Sequence, residues 1–308
     1  MPEGIIVKAL SGYYYVKSAG SAEEPVQCRA RGIFKKRGVS PLVGDRVIYE
    51  VTENGEGTVD EVLPRSTELI RPPVANVEQA VLAFSVAEPA LNLQLLDKFL
   101  VHTENAGLDT IICLTKSDLL DSEDESAEAA SQETITMQDA KQLYEQIGYT
   151  VIITSTKTED GISEVRSRLA GRISVFSGQS GVGKSSLLNA LVPGLMLETN
   201  QISSKLGRGK HTTRHVELIE LEGEGRGLVA DTPGFSQLDF VQLEPEELSG
   251  CFAEMKRIAS GCKFRGCLHQ HEPGCQVIAA VESGTVAASR YKHYLVFLQE
   301  MKERKRRY

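Results

Sequence analysis

Two short motifs of this chain stand in an unusual order. Gly178-Gln179-Ser180-Gly181-Val182-Gly183-Lys184-Ser185 fits the phosphate-loop pattern G-x-x-x-x-G-K-[ST]. Asp231-Thr232-Pro233-Gly234 follows it. Thr115-Lys116-Ser117-Asp118, close to the guanine-reading N-K-x-D pattern, comes before it. In most guanine-nucleotide hydrolases the phosphate loop comes first, then the switch elements, then the base reader. A chain that puts the base reader first must fold as a circularly permuted nucleotide core. That order excludes far more architectures than any one motif does.

The residues around each motif supply the context it needs. Arg172–Ser177 reads as a buried strand and Lys184–Leu191 as a helix, the strand-loop-helix setting of a phosphate loop. Glycines let successive N–H groups turn inward, so Gly178, Gly181, Val182, Gly183, Lys184, Ser185 and Ser186 are expected to cradle phosphates, helped by the helix N-terminus. Lys184 would reach the β- and γ-phosphates, and the Ser185 hydroxyl would ligate Mg²⁺. Asp231 follows the strand Gly227–Ala230, so its carboxylate is expected to face Mg²⁺ through water, with the Gly234 N–H toward the γ-phosphate. Between them, Gly207-Arg208-Gly209-Lys210-His211-Thr212-Thr213-Arg214 reads as a basic switch segment in which Thr213, or alternatively Thr212, completes the Mg²⁺ shell.

Base identity rests on Asp118, whose carboxylate accepts from both N1–H and N2–H₂ of guanine. Adenine offers no such donor pair, which argues against an ATP-dependent enzyme. Lys116 would lie along the base, and Ser155 ends the strand Thr150–Thr154 where a backbone loop contacts guanine O6. Thr115 replaces the usual Asn, and its shorter hydroxyl makes fewer hydrogen bonds. Where related hydrolases hold a water-orienting Gln, this chain has Phe235, so slow intrinsic hydrolysis is expected unless another group takes over. His211 is the candidate. The opposing reading is a nucleotide-gated binder with negligible turnover.

Three zones follow from composition. Residues 1–70 carry short β-rich runs (Ile5-Ile6-Val7, Tyr13-Tyr14-Tyr15-Val16, Val47–Val51) broken by Gly, Pro and Asn, as in a small OB-like barrel that binds RNA or mediates protein contacts. Residues 71–240 alternate strand and helix, with buried strands at Val77–Val86 and Thr110–Thr115. A helix is expected over Leu91–Gly107 with Asn92 as N-cap, and another over Lys141–Ile147. Asp121–Glu133 is acidic and reads as a solvated insertion. Residues 241–308 are mainly helical and hold Cys262-x4-Cys267-x-His269-x5-Cys275, the ligand set of one closed tetrahedral Zn²⁺ site. His271 is an alternative to His269, and Cys28, Cys113 and Cys251 read as thiols outside the site.

A net charge of −8 excludes a protein coated in positive charge. Local basic patches remain at Arg29, Arg31, Lys35, Lys36 and Arg37, and in the tail Lys302-Glu303-Arg304-Lys305-Arg306-Arg307-Tyr308. The start of the chain has no signal-peptide pattern and no apolar run is long enough to span a bilayer, so a cytoplasmic protein without membrane contact is expected.

Taken in order, these motifs resemble the RsgA (YjeQ/YloQ) family of bacterial small-subunit-dependent GTPases. The resemblance extends over the whole chain. It adds Val43-Gly44-Asp45-Arg46-Val47 and Val62-Leu63-Pro64-Arg65 in the barrel, Arg208–Arg214, and Asp231–Phe235 to the motifs above. It implies a multidomain chain with an OB-fold, a permuted P-loop GTPase core and a C-terminal zinc domain. GTP and GDP, Mg²⁺ and one Zn²⁺ are the implied cofactors. The implied activity is GTP hydrolysis stimulated by the small ribosomal subunit, whose rRNA the protein contacts as a monomer during late maturation. It also raises the standing of His211 as a catalytic group beside Lys184 and Thr213.

Overall fold

The computed structural model describes residues 1–18, 24–32, 34, 38–70, 72–120, 135–192, 195, 216–221, 225–231, 238–240 and 243–305. The chain groups into two compact units, each built from several stretches. One comprises Met1–Val81, Gly161–Ser177 and Gly183–Ser236, the other Leu82–Asp160, Gly178–Val182 and Gln237–Tyr308.

The first unit begins with a closed five-stranded barrel. Its strands are β1 (Glu3–Leu10), β2 (Tyr13–Ser18), β3 (Val26–Ala30), β4 (Arg46–Val51) and β5 (Gly57–Val62). β1 pairs antiparallel with both β2 and β4, β2 with β3 and β4 with β5, while β3 and β5 run parallel. Pairing β1 with β4 closes the ring and leaves no free edge between them, as in an OB-like barrel. Inward residues alternate along each strand, so Ile6, Val16, Cys28, Val47, Tyr49 and Val59 form its core. Cys28 is an inert core thiol: burial pushes it up to about 11.

The V-G-D-R-V and L-P-R segments of the sequence meet beneath this barrel. Arg65 donates from Nε and a terminal nitrogen to the two oxygens of the fully buried Asp45, at 2.7 and 2.8 Å, and also reaches the Ser40 carbonyl. Asp45 accepts in addition from the Leu42 N–H. Such a bidentate, fully satisfied pair fixes the turn between the barrel and the short hairpin of β6 (Glu68–Ile70) and β7 (Pro73–Ala75).

The same unit continues into a sheet. β12 (Glu217–Glu220) pairs with β1 and with β13 (Leu228–Asp231), both antiparallel, and β13 lies parallel to β11 (Ile173–Ser177). Helices α3 (Ile162–Leu169) and α4 (Lys184–Leu191) flank these strands in sequence.

The second unit holds the end of β8 (Gln79–Ser85), β9 (Asp109–Thr115) and β10 (Thr150–Thr154), with β9 and β10 parallel. All seven residues of β8 are buried. Helix α1 (Leu93–Asn105) starts where Asn92 accepts from the Leu95 N–H, and Gly107 follows its end with φ +67°. Helix α2 (Met137–Ile147) begins four residues ahead of the expected Lys141. Thr136 and Asp139 exchange hydrogen bonds in a capping box there, a start signal that the apolar spacing alone did not carry. C-terminal to these come α5 (Ala253–Ala259), α6 (Gln276–Glu282) and α7 (Ala288–Lys305). α7 buries Tyr294, Phe297, Leu298 and Met301 at helical spacing against Leu248, Phe252 and Met255. Among the described residues no helix is long and apolar enough to cross a membrane.

Candidate nucleotide site and metal centre

The phosphate loop has the backbone its sequence demands. Gly178, Gly181 and Gly183 have φ of +144°, +82° and +96°, values that side-chain-bearing residues rarely adopt. A Cβ on Gly178 would stand 2.1 Å from the Ala83 carbonyl oxygen of β8, so only glycine lets the loop leave the sheet there. Gly183 caps α4, whose first residue is Lys184 and whose next two are Ser185 and Ser186. Burial lowers the Lys184 ammonium below its ordinary range. β13 ends at Asp231, in parallel register with β11 (Val175 opposite Ala230), so Asp231 lies at the same C-terminal strand edge from which the phosphate loop departs.

The residues expected to read the base gather at the ends of β9 and β10. Lys116 takes a left-handed conformation (φ 62°) and its ammonium donates to the Glu88 carbonyl. Asp118 is held by Ser155, whose hydroxyl donates to Asp118 Oδ1 at 2.6 Å and accepts from the N–H groups of Lys157 and Thr158. The exposed Lys157 ammonium stands 4.0 Å from Asp118 Oδ2. Ser155 therefore orients the carboxylate as well as shaping its own loop, a part that sequence position did not reveal. Thr115 is buried, and its hydroxyl donates to the Val182 carbonyl at 2.5 Å, with the Phe84 carbonyl at 3.3 Å.

His211, Thr212, Thr213, Gly234 and Phe235 lie outside the described residues, as do the acidic insertion, Lys35–Arg37 and the last residues of the basic tail. Past Gly234 the described chain resumes at Leu238–Phe240. Phe240 stacks on His102 of α1 at 5.3 Å and 11°, and the Lys98 ammonium sits 4.9 Å from its ring. This anchor has no motif and was not legible in the sequence.

Cys262, Cys267, His269 and Cys275 converge, with all four ligand atoms within 4.8 Å of one another. Ligands about 2.0–2.3 Å from one tetrahedral ion stand roughly 3.3–3.8 Å apart. The separations are 3.9 Å between Cys262 Sγ and Cys275 Sγ, 3.7 Å from Cys262 Sγ to His269 Nδ1, and 3.2 Å from His269 Nδ1 to Cys275 Sγ. Three thiols and an imidazole at this spacing fit one zinc. Burial lowers the His269 imidazole, keeping it neutral as a ligand requires. His271, the alternative, is exposed.

Residues outside the motif hold the metal loop. Glu272 accepts from the N–H groups of Leu268, Gln270 and His271 at 2.9, 2.7 and 3.0 Å. Burial opposes its charge, yet these donors hold the carboxyl down at about 2. From α7, Tyr291 and Tyr294 donate to the carbonyls of His269 and Leu268.

A glycine-rich loop between strand and helix, with a guanine-type base reader tethered to it from an earlier strand, defines a circularly permuted P-loop GTPase. Comparison with known proteins narrows the class. The family model described as RsgA GTPase matches residues 62–241, and that of the RsgA N-terminal domain matches residues 3–59. The chain is 53% identical to the small ribosomal subunit biogenesis GTPase RsgA of Shouchella clausii and 50% identical to that of Bacillus subtilis, over the full length of both chains in each case. Its fold is similar to the crystal structure of YloQ, a circularly permuted GTPase (TM-score 0.81, 43% identity, 99% of this chain and 96% of the other). YjeQ from Thermotoga maritima is also similar (TM-score 0.82, 37% identity, 97% and 98%). The chain belongs to the RsgA GTPase family.

Proposed function

We propose that this GTPase binds the small ribosomal subunit, assists its late maturation, and uses GTP binding and hydrolysis to pass between subunit-bound and released states. The observation that carries the reading is the Thr115–Val182 hydrogen bond, which ties a guanine reader to the phosphate loop within a family whose named relatives act in small-subunit biogenesis. Asp118, oriented by Ser155, accepts from guanine, and Lys116 lies along the base. The N–H groups of Gly178, Gly181, Val182, Gly183, Lys184, Ser185 and Ser186 bind phosphate oxygens, and the Lys184 ammonium offsets their charge. Ser185, Asp231 and Thr213 (or Thr212) would hold Mg²⁺, which would offset the charge of the phosphates. His211 orients the attacking water in place of the absent Gln.

The division of labour follows the three zones. Residues 1–70 form the barrel that contacts rRNA, 71–240 hold the nucleotide, and 241–308 form the zinc-held domain, in a monomeric cytoplasmic protein. GTP hydrolysis by the purified protein, alone and with small ribosomal subunits, tests the proposal, with Lys184→Ala as control. Stimulation that the variant loses supports it. Tight GTP binding with no stimulation by subunits would sink it.

A further inference from the structure

Seven of the phenylalanines in the described structure (Phe34, Phe84, Phe99, Phe176, Phe240, Phe252 and Phe297) are buried at 6% exposure or less. Phe264 is the exception, at 45%. It stands at the tip of the metal loop between Cys262 and Cys267, in the run Lys263-Phe264-Arg265-Gly266, every member of which is exposed. The buried core of this region holds Phe252, Phe297 and Tyr294, and the Phe264 ring lies outside it.

Its surroundings are cationic. The Lys263 ammonium lies 5.5 Å from the Phe264 ring centroid, and Arg265 flanks it on the other side in sequence. Neither cation is paired with an acid among the described residues. The stretch from Met255 to His271 has no Asp or Glu at all. The acids that bound it are turned inward: Glu254 is paired with Arg290, and Glu272 accepts from the backbone of the metal loop. The tip is also anchored at its base, through Glu272 and through Tyr291 and Tyr294 of α7. An exposed aromatic ring with the Lys263 ammonium near it and Arg265 next to it in sequence, on a loop anchored on its C-terminal side, matches a base π-face with its flanking phosphates. A protein pocket that took the ring alone would have no use for two unpaired cations. A paired base in an A-form duplex has both faces covered by its neighbours, so the fitting partner is an unpaired one.

We propose that Lys263, Phe264 and Arg265 form an RNA-contacting finger, in which Phe264 stacks on an unpaired base of the small-subunit RNA and the two cations hold the adjoining phosphates. This rests on the reading of the chain as a subunit-binding GTPase and names one contact by which it binds.

The test uses the full-length protein loaded with a non-hydrolysable GTP analogue and purified small subunits. Phe264→Ala is expected to weaken subunit binding by about five- to a hundredfold, and Phe264→Trp to restore it. Lys263→Ala with Arg265→Ala is expected to flatten the salt dependence of binding. Zinc content and nucleotide affinity stay as in the parent in every variant, which separates a contact from a folding defect. A photoreactive p-benzoylphenylalanine at position 264 is expected to crosslink to rRNA. Parent-like affinity of Phe264→Ala, or crosslinks to ribosomal protein alone, would overturn the finger while leaving subunit binding intact. If the parent protein itself failed to bind subunits, the finger and the functional reading beneath it would both fall.

Discussion

The hydroxyl of Thr115 donates to the carbonyl of Val182 at 2.5 Å, joining the end of β9 to the glycine-rich loop. Thr115 is 4% exposed, so the bond is shielded from water. Replacing it by Val keeps the shape and removes the donor, leaving a carbonyl short of a partner. A buried group left unsatisfied costs about 1–3 kcal/mol. Thr115→Val is therefore expected to weaken GDP binding by about five- to a hundredfold, and Thr115→Ser to retain most of it. Titration with a fluorescent GDP analogue measures both, and a Val variant with unchanged affinity would show that the tether is dispensable.

Lys184 is expected to make nucleotide binding depend on pH. Burial lowers its folded-state pKa in the nucleotide-free protein, and bound phosphates raise it again. Where the bound form has the higher pKa, binding takes up a proton and affinity is full below the free-state value. Affinity then declines as pH rises through the free-state pKa toward the bound one. Calorimetry of GDP binding in buffers of different ionisation enthalpy is expected to show proton uptake in that window. Lys184→Arg, charged throughout, is expected to abolish the uptake.

The metal loop depends on Glu272 as well as on its ligands. Without this carboxylate the Leu268, Gln270 and His271 N–H groups lose the acceptor that folds the loop around His269. Residues that orient ligands typically contribute about 10–100-fold to metal affinity. Glu272→Ala is expected to lower zinc affinity by that factor in competition with a chromogenic chelator. Cys275→Ser is expected to lower both metal stoichiometry and the thermal midpoint. Purified protein holding no zinc would refute the centre itself.

The motifs were legible because each is a local demand of chemistry. Three glycines at positive φ, a lysine at a helix start, and three cysteines with one histidine can be read from spacing. The barrel was legible as alternation in Val47–Val51, though its closure by β1–β4 pairing was not, since registry between distant strands leaves no local mark. The same limit hid the roles of Thr115, Ser155 and Glu272. Thr115 and Ser155 were marked by their motifs and Glu272 was not, but each acquires this part from a partner that folding brings near. Thr115 shows the difference well: its departure from Asn is visible in the motif, but its hydrogen bond runs to a residue 67 positions away.

Arg290 is the longest-range example. It is 1% exposed and its guanidinium serves two carboxylates on different helices. Nε and one terminal nitrogen meet Glu254 of α5 at 2.8 and 2.9 Å, and the other terminal nitrogen meets the fully buried Asp97 of α1 at 2.5 Å. Tyr144 of α2 donates to the same Asp97 oxygen, and His293 lies 2.5 Å from the other. Four helices of one unit thus share a single buried charge network. Such a network adds modest stability against an apolar replacement but is costly to break, because removing one partner strands the others. Arg290→Met would leave two buried carboxylates without their cation, and a loss of about 3–5 kcal/mol is expected from urea unfolding. Arg290→Lys is expected to rescue little, since a point charge cannot grip Glu254 at two oxygens and reach Asp97 together. A double change, Arg290→Met with Glu254→Gln, is expected to recover part of the loss by removing one stranded charge. If it is instead as unstable as the sum of the two single changes, the two residues do not act as a pair, and the helices are held by the Phe252, Tyr294 and Phe297 core alone.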